Sequence, residues 1–228
     1  MSGAASALTQ HRALTEPIQL AFFDVDGTLK VERDPYVYMH RRLGTLEQGL
    51  SHVQMFERGE IDYDEWGRLD ARLWAGQDVG HVTRLLAEIP WMPGACQVAA
   101  ILRRAGVKIV LVSSGLDVHV NAVAAELGAA YAFANELCVA HGRLTGELRT
   151  LVPEWGKGDI VLQVMVQAGA SASNCIALGD GPSDVKMFER VGWSVAVAPS
   201  DEQVRRAASF TLPEPDLRPL VSLLEQWL

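Results

Sequence analysis

The chain has 228 residues, of which 49% are apolar and 21% charged, with a formal net charge of −8. This length suits one well-buried domain plus a smaller appendage, and the composition is that of an ordinary globular protein. The acidic balance excludes a surface built for nucleic acid or an anionic membrane, which needs clustered lysine and arginine, but leaves room for a small, locally positive site. Cys96, Cys138 and Cys175 are odd in number and far apart. They read as free thiols of a reducing, cytoplasmic compartment, not as a disulfide framework or zinc site. No apolar run reaches the ~20 residues of a membrane span. Met1 to Gln10 lacks the basic-then-apolar pattern of a signal peptide, and residues 1–17 read as a flexible tail.

The first strong element is Ile18 to Phe23, a short apolar run ending at Asp24. It has the character of a buried parallel strand that feeds a functional loop. Between Leu29 and Pro90 no strand pattern occurs. Trp66, Leu69 and Leu73 share one helical face, Val82, Leu85, Leu86 and Ile89 share another, and Pro35, Gly59 and Gly76 punctuate the stretch. This predicts a helical insertion over 31–90, with the main domain made of 18–30 and 91–228. Strands follow at Val107 to Val112, Cys175 to Leu178 and Trp193 to Ala198. Helical stripes lie between them at Val98, Ile101, Leu102, Ala105 and at Val161, Val164, Met165, Ala168. Alternating strands and helices predict a Rossmann-like, doubly wound α/β sheet. Tyr131 to Leu148, with His141-Gly142 at its middle, reads as a β-hairpin. Leu217, Leu220, Val221, Leu224 and Trp227 mark a closing helix.

Four segments carry chemistry. Asp24-Val25-Asp26-Gly27-Thr28 places two carboxylates at a strand end, where period-two alternation lets both face one side. Neighbouring anions need a cation, and Mg²⁺ is the hard, oxygen-seeking candidate. Gly27 allows a tight turn whose amides could face a phosphate. Ser113-Ser114-Gly115 follows the second strand, where hydroxyls and amides suit phosphate oxygens; a plain N-cap is the structural alternative. Lys157, between two glycines, can reach an anion or be a solvated turn lysine. Gly179-Asp180-Gly181-Pro182-Ser183-Asp184 brings two more carboxylates to another strand end. Each segment alone admits a structural role. Together they fall at the carboxyl ends of strands, where open α/β sheets bind ligands. The chemistry they suit is attack on phosphorus by Asp24 with Asp26 as acid and base. Asp24, Asp180 and the backbone carbonyl of Asp26 would hold Mg²⁺, with Asp184 in support. Ser113 and Lys157 would stabilise the transferring phosphoryl group, with Gly27, Thr28, Ser114, Gly115 and Ser183 lining its site.

These four segments, in this order, resemble the motifs of haloacid dehalogenase-like hydrolases, from Ile18 to about Leu212. The helical insertion, Phe133-Ala134-Asn135-Glu136-Leu137 and Gly142 to Gly146 are similar to the phosphoserine phosphatase branch. The resemblance implies a Mg²⁺-dependent phosphatase with a phospho-aspartate on Asp24, a helical cap, and a small phosphorylated metabolite as substrate. In that branch a glutamate about nine residues after the nucleophile contacts the substrate amine; here Glu32 and Arg33 stand there. A cap arginine that binds the substrate carboxylate corresponds to Asp70, flanked by Arg68 and Arg72, and Ser183 replaces a usual asparagine. A phosphotransferase of the same family, or a phosphatase for a different metabolite, fits the same motifs. A receiver-type signalling module shares the acidic site, hydroxyl and lysine, but is shorter and lacks both the insertion and a second residue like Asp26. Monomer and dimer both fit. His119 and His141 read as surface or turn residues, Tyr63, Trp66 and Trp74 as cap core, and Glu57, Arg58 and Glu60 as a solvated helix end.

Overall fold

The computed structural model describes residues 16–228; the expected tail over 1–17 therefore lies outside the described residues except for Glu16 and Pro17. The sheet is organised around β1 (Leu20–Phe23). Its residues point alternately to opposite faces, and all four are buried because helices cover both. β2 (Lys108–Leu116) and β5 (Cys175–Gly179) flank it in parallel, with Phe23 beside Leu111 and Leu178. This register puts Asp24, Ser113 and Asp180 just past the same level of three adjacent strands.

The sheet has seven strands, in the order β4-β3-β2-β1-β5-β6-β7. The remaining strands are β3 (Tyr131–Ala140), β4 (Arg143–Arg149), β6 (Trp193–Val197) and β7 (Phe210–Leu212). Only β4 runs antiparallel to its neighbour. The predicted hairpin is thus present, but its first strand extends the main sheet beside β2. β2 also runs through Ser113, Ser114 and Gly115 to Leu116, longer than the predicted strand. α6 (Asp117–Leu127) starts one residue beyond the expected position, so Ser113 is not its cap. β7 carries only three residues, too short for a periodic signal.

One face of the sheet buries Ala21, Phe23, Ile109 and Leu111 under α5 (Ala95–Arg104), α6 and α10 (Arg218–Trp227). The other buries Leu20, Phe22, Val110 and Val112 under α7 (Lys157–Ala168) and α8 (Val185–Phe188), with Val204 of α9 (Glu202–Ala207) in the same cluster. The expected helical stretch consists of α1 (Pro35–Leu43), α2 (Leu46–Glu57), α3 (Tyr63–Leu73) and α4 (Val79–Ala87). It has its own core, in which Met39, Trp74, Val82 and Leu86 meet Leu137, Leu144 and Leu148 of the hairpin. Gly67 makes this approach possible, since a Cβ there would come within 2.6 Å of Leu148. Both chain crossings into this stretch are tied together. Val31 N–H donates to the Pro90 carbonyl at 3.1 Å and Met92 N–H to Leu29 at 2.8 Å. The Lys30 ammonium donates to Ile89 at 2.8 Å while lying 4.0 Å from the centre of the Trp91 ring.

Phe22 is fully buried in the central strand, so Phe22→Ala is expected to lower stability by about 3–5 kcal/mol, read from urea unfolding. Val166→Ala, on the exposed side of α7, should leave the midpoint nearly unchanged.

Candidate active site

At the carboxyl edge of the sheet lies a cavity of about 230 Å³. Asp24, Asp26, Ser113, Ser114, Gly115, Lys157, Asp180, Ser183 and Asp184 all line it. Gly27 and Thr28, expected at the phosphate, do not. The Gly27 amide donates to the Lys30 carbonyl at 2.9 Å, so it closes the turn instead of facing an anion. Gly27 has φ +83°, and a Cβ would come within 2.5 Å of the Asp180 carboxylate. The Thr28 hydroxyl donates to Asp180 Oδ1 at 3.3 Å. This turn therefore shapes the position of Asp180.

Lys157, the first residue of α7, is buried rather than solvated. Its Nζ donates to Asp24 Oδ1 at 2.7 Å and to Asp184 Oδ1 at 2.6 Å. Burial works against its charge, but Asp184 and Asp24 outweigh that and hold its pKa above the ordinary lysine value. The other oxygen of Asp184 accepts the amides of Asp180 and Gly181, each at 2.9 Å. Gly179 leaves room for that side chain, since a Cβ there would meet it at 2.4 Å. Carboxylate oxygens of Asp24, Asp180 and Asp184 lie within 4.8 Å of one another. Burial pushes the Asp24 carboxyl up to about 6, against the pull of Lys157. Burial, then repulsion from Asp24 and Asp184, pushes Asp180 up to about 8. Three buried carboxylates with too few cations, offering only hard oxygen donors, fit a divalent metal ion. Asp184 is held by Lys157 and two amides at 2.6–2.9 Å, whereas Asp24 has one oxygen outside its lysine bond and Asp180 only longer contacts to Thr28 and Arg33, so Asp24 and Asp180 are the side chains best placed to ligate.

The Asp26 carboxylate stands outside that cluster. Its Oδ2 accepts from the Ser113 hydroxyl at 3.1 Å, and Ser113 in turn accepts the Gly115 amide at 2.9 Å. A Cβ at Gly115 would lie 2.4 Å from Asp26 Oδ2, so the glycine admits this approach. Burial, and next the Asp24 charge, raise the Asp26 pKa well above the usual carboxylate range. Its Oδ1 faces His119 Nε2 at 3.5 Å. His119 is buried, correcting its reading as a surface residue, and burial lowers its pKa to about 4. It sits on the inward side of α6, which periodicity around Val120 and Val123 could have shown.

The far wall of the cavity comes from the helical stretch. It presents Pro35, Tyr36, Tyr63, Trp66 and Gly67, with Arg33 and Asp34 at its edge. Of the three aromatic residues read as core, only Trp74 is fully buried; Tyr63 and Trp66 face the cavity. The Tyr63 hydroxyl donates to the Ser114 carbonyl at 3.2 Å and accepts from Asn135 Nδ2 at 3.1 Å. Asn135 Oδ1 accepts the amides of Leu151 and Val152. Asp70, at the expected cap-arginine position, is buried away from the cavity between His52, at 2.6 Å, and His40, at 3.1 Å. Arg68 and Arg72 point outward and pair with Glu65. Arg33 lies 3.4 Å from Asp180 and also donates to the Ala198 carbonyl. Glu57 and Glu60 are exposed, and Arg58 pairs with Glu60 at the helix end, as expected.

A family model described as haloacid dehalogenase-like hydrolase matches residues 21–189. The phosphoserine phosphatase of Archaeoglobus fulgidus is 31% identical over 91% of this chain, which spans 60% of that relative's length. The phosphoserine phosphatase of Methanocaldococcus jannaschii is 27% identical over 91% of this chain and 98% of its own. Among solved structures, a phospho-aspartyl intermediate analogue of phosphoserine phosphatase is 27% identical. It covers 91% of this chain and 99% of its own, with a TM-score of 0.78.

The metal-free site has a pH signature. Unfolded aspartates are ionised above pH 6.5, whereas folded Asp180 binds a proton up to about 8. His119, with its pKa lowered to about 4, works the other way, since unfolded histidine still holds part of a proton near pH 6.5, but this offsets only a small part of the Asp180 effect. The folded state thus holds the extra proton, and stability should fall as pH rises from 6.5 to 8. Thermal melting in EDTA should show that decline, and millimolar Mg²⁺ should raise the melting temperature more at pH 8 than at pH 6.5.

Proposed function

The chain belongs to the haloacid dehalogenase-like hydrolases, and from that premise we propose that it hydrolyses small phosphate monoesters through a phospho-aspartate on Asp24. The observation that carries this reading is the fixed position of Lys157 between Asp24 and Asp184 at the cavity floor. Lys157 holds Asp24 in place and offsets the negative charge that would otherwise repel a phosphate dianion. Asp24 forms the new bond to phosphorus as the ester P–O bond breaks. The leaving oxygen takes the proton of Asp26, whose raised pKa keeps it protonated for this purpose. Asp26 then accepts a proton from water as the water oxygen attacks phosphorus, releasing phosphate and restoring the Asp24 carboxylate. Ser113 orients Asp26, and Ser114, Gly115 and Ser183 line the phosphoryl site.

We assign the divalent ion as Mg²⁺, held by Asp24, Asp180 and the Asp26 backbone carbonyl, with Asp184 in support. When bound, it supplies Lewis-acid neutralisation of the phosphoryl oxygens. Residues 31–90 act as a cap over a core of 18–30 and 91–228, the Tyr63 contact to Ser114 forming part of its seat. No helix among the described residues is long and apolar enough to cross a membrane. The free thiols Cys96, Cys138 and Cys175 suit a cytoplasmic setting. Phosphoserine, for which the relatives are named, is the reference substrate for such a site.

Asp24→Asn should lower turnover of p-nitrophenyl phosphate by roughly 10³-fold or more while leaving far-ultraviolet circular dichroism intact. Retained turnover would overturn the assignment. Asp26→Asn should behave differently with this ester, whose leaving group needs no acid. Rapid mixing should show a burst of p-nitrophenol close to the enzyme concentration, then a steady rate reduced about 10²–10⁴-fold.

A further inference from the structure

The charge pattern of the whole cavity lining selects among leaving groups. Five carboxylates and two cations line the cavity. A divalent ion and a phosphate dianion cancel each other, and a proton on Asp26 removes one carboxylate, yet the lining stays negative. Lys157 is held by Asp24 and Asp184, and Arg33 donates to the Ala198 carbonyl and, until a metal takes that carboxylate, lies against Asp180. The cap arginines face outward and Asp70 faces His40 and His52. A carboxylate on the leaving group would therefore enter a lining with more carboxylates than cations, where the one lining cation not held by Asp24 and Asp184 is Arg33, already bonded to the Ala198 carbonyl.

A positive group meets the opposite conditions. Trp66 has Tyr36 and Tyr63 beside it, each with its ring centre 6.3 Å away, and the Tyr63 ring stands at 87° to Trp66. Aromatic faces carry negative potential, and although Phe56 stacks on Trp66 at 4.9 Å, three rings lining one cavity favour a cation over a neutral group. Asp34 lines the same end. Its carboxylate caps α1, with Oδ1 accepting the Val37 amide at 2.9 Å and the Tyr36 amide also bonding it, and it presents its negative charge to the cavity.

We propose that the leaving group is a cationic alcohol without a carboxylate, its ammonium seated against Tyr36, Tyr63 and Trp66 with Asp34 as counter-charge. This rests on the phosphatase reading above and narrows its substrate from small phosphate monoesters to amino-alcohol phosphates. Asp34 and the aromatic wall are the specificity determinants, and the amine of phosphoserine would be accepted but its carboxylate opposed.

The test compares kcat/KM in Mg²⁺ for O-phosphoethanolamine and phosphocholine (cationic), O-phospho-L-serine (zwitterionic) and glycerol 2-phosphate (neutral), with p-nitrophenyl phosphate as control. One of the cationic esters should exceed both others by roughly tenfold or more. Asp34→Asn keeps a good helix cap and should cut the cationic-to-neutral ratio about tenfold, with an unchanged melting temperature. If phosphoserine or glycerol 2-phosphate matches the cationic esters, the inference fails and the phosphatase reading stands. If the preference exists but survives Asp34→Asn, the assignment to Asp34 is overturned. If not even p-nitrophenyl phosphate is hydrolysed, both readings fall.

Discussion

The Lys157 ammonium, buried between Asp24 and Asp184, is the contact on which the site depends. Three carboxylates cannot be gathered in a dry cavity without a cation to offset their repulsion and lost hydration. α7 delivers that cation from its first turn, and Gly158 behind it lets the helix lie close, since a Cβ there would sit 2.6 Å from the Lys186 carbonyl. The remaining charge imbalance is what makes the site receptive to a metal. Its raised aspartate pKa values are thus the mark of a site poised for a ligand.

The sheet supplies the geometry of the acidic cluster, and the helical stretch supplies the other wall of the cavity. Parallel pairing of β1 with β2 and β5 brings Asp24, Ser113 and Asp180 to one edge by register alone. The insertion leaves from the loop after β1 and returns before α5, so it stands over that edge. Its docking runs through α3 against β4 and through Tyr63 to Ser114. The hairpin is therefore more than a decoration, because it joins the main sheet on one side and the insertion's core on the other.

The four segments that meet at the cavity, and the strand–helix alternation, were legible in the sequence because short-range patterns mark them. Each segment alone admits a structural role, but their succession at the carboxyl ends of strands is readable from the chain order. Side chains whose role depends on tertiary packing were not legible. Lys157 taken alone reads first as a solvated turn residue, and only its contacts to Asp24 and Asp184 give it another role. His119 lost its water only because α6 turns it toward Asp26. Tyr63 and Trp66 lie on the stripe expected of a core, and only the approach of α3 to Leu148 leaves them facing the cavity. Thr28 and Gly27 were assigned to phosphate by proximity, whereas their bonds run to Asp180 and within the turn. Asp34-Pro35 carries a visible helix-start signal, but nothing in it marks the Asp34 carboxylate as part of the cavity lining.

The central claim is that Asp24 takes the phosphoryl group covalently. Acid quenching during steady turnover of p-nitrophenyl phosphate, followed by peptide mass spectrometry, addresses it directly. The account predicts a peptide containing Asp24 heavier by one phosphoryl group, with the adduct removed by hydroxylamine and absent in Asp24→Asn. Continued turnover with the phosphoryl group on another residue, or turnover that persists in Asp24→Asn, would contradict it.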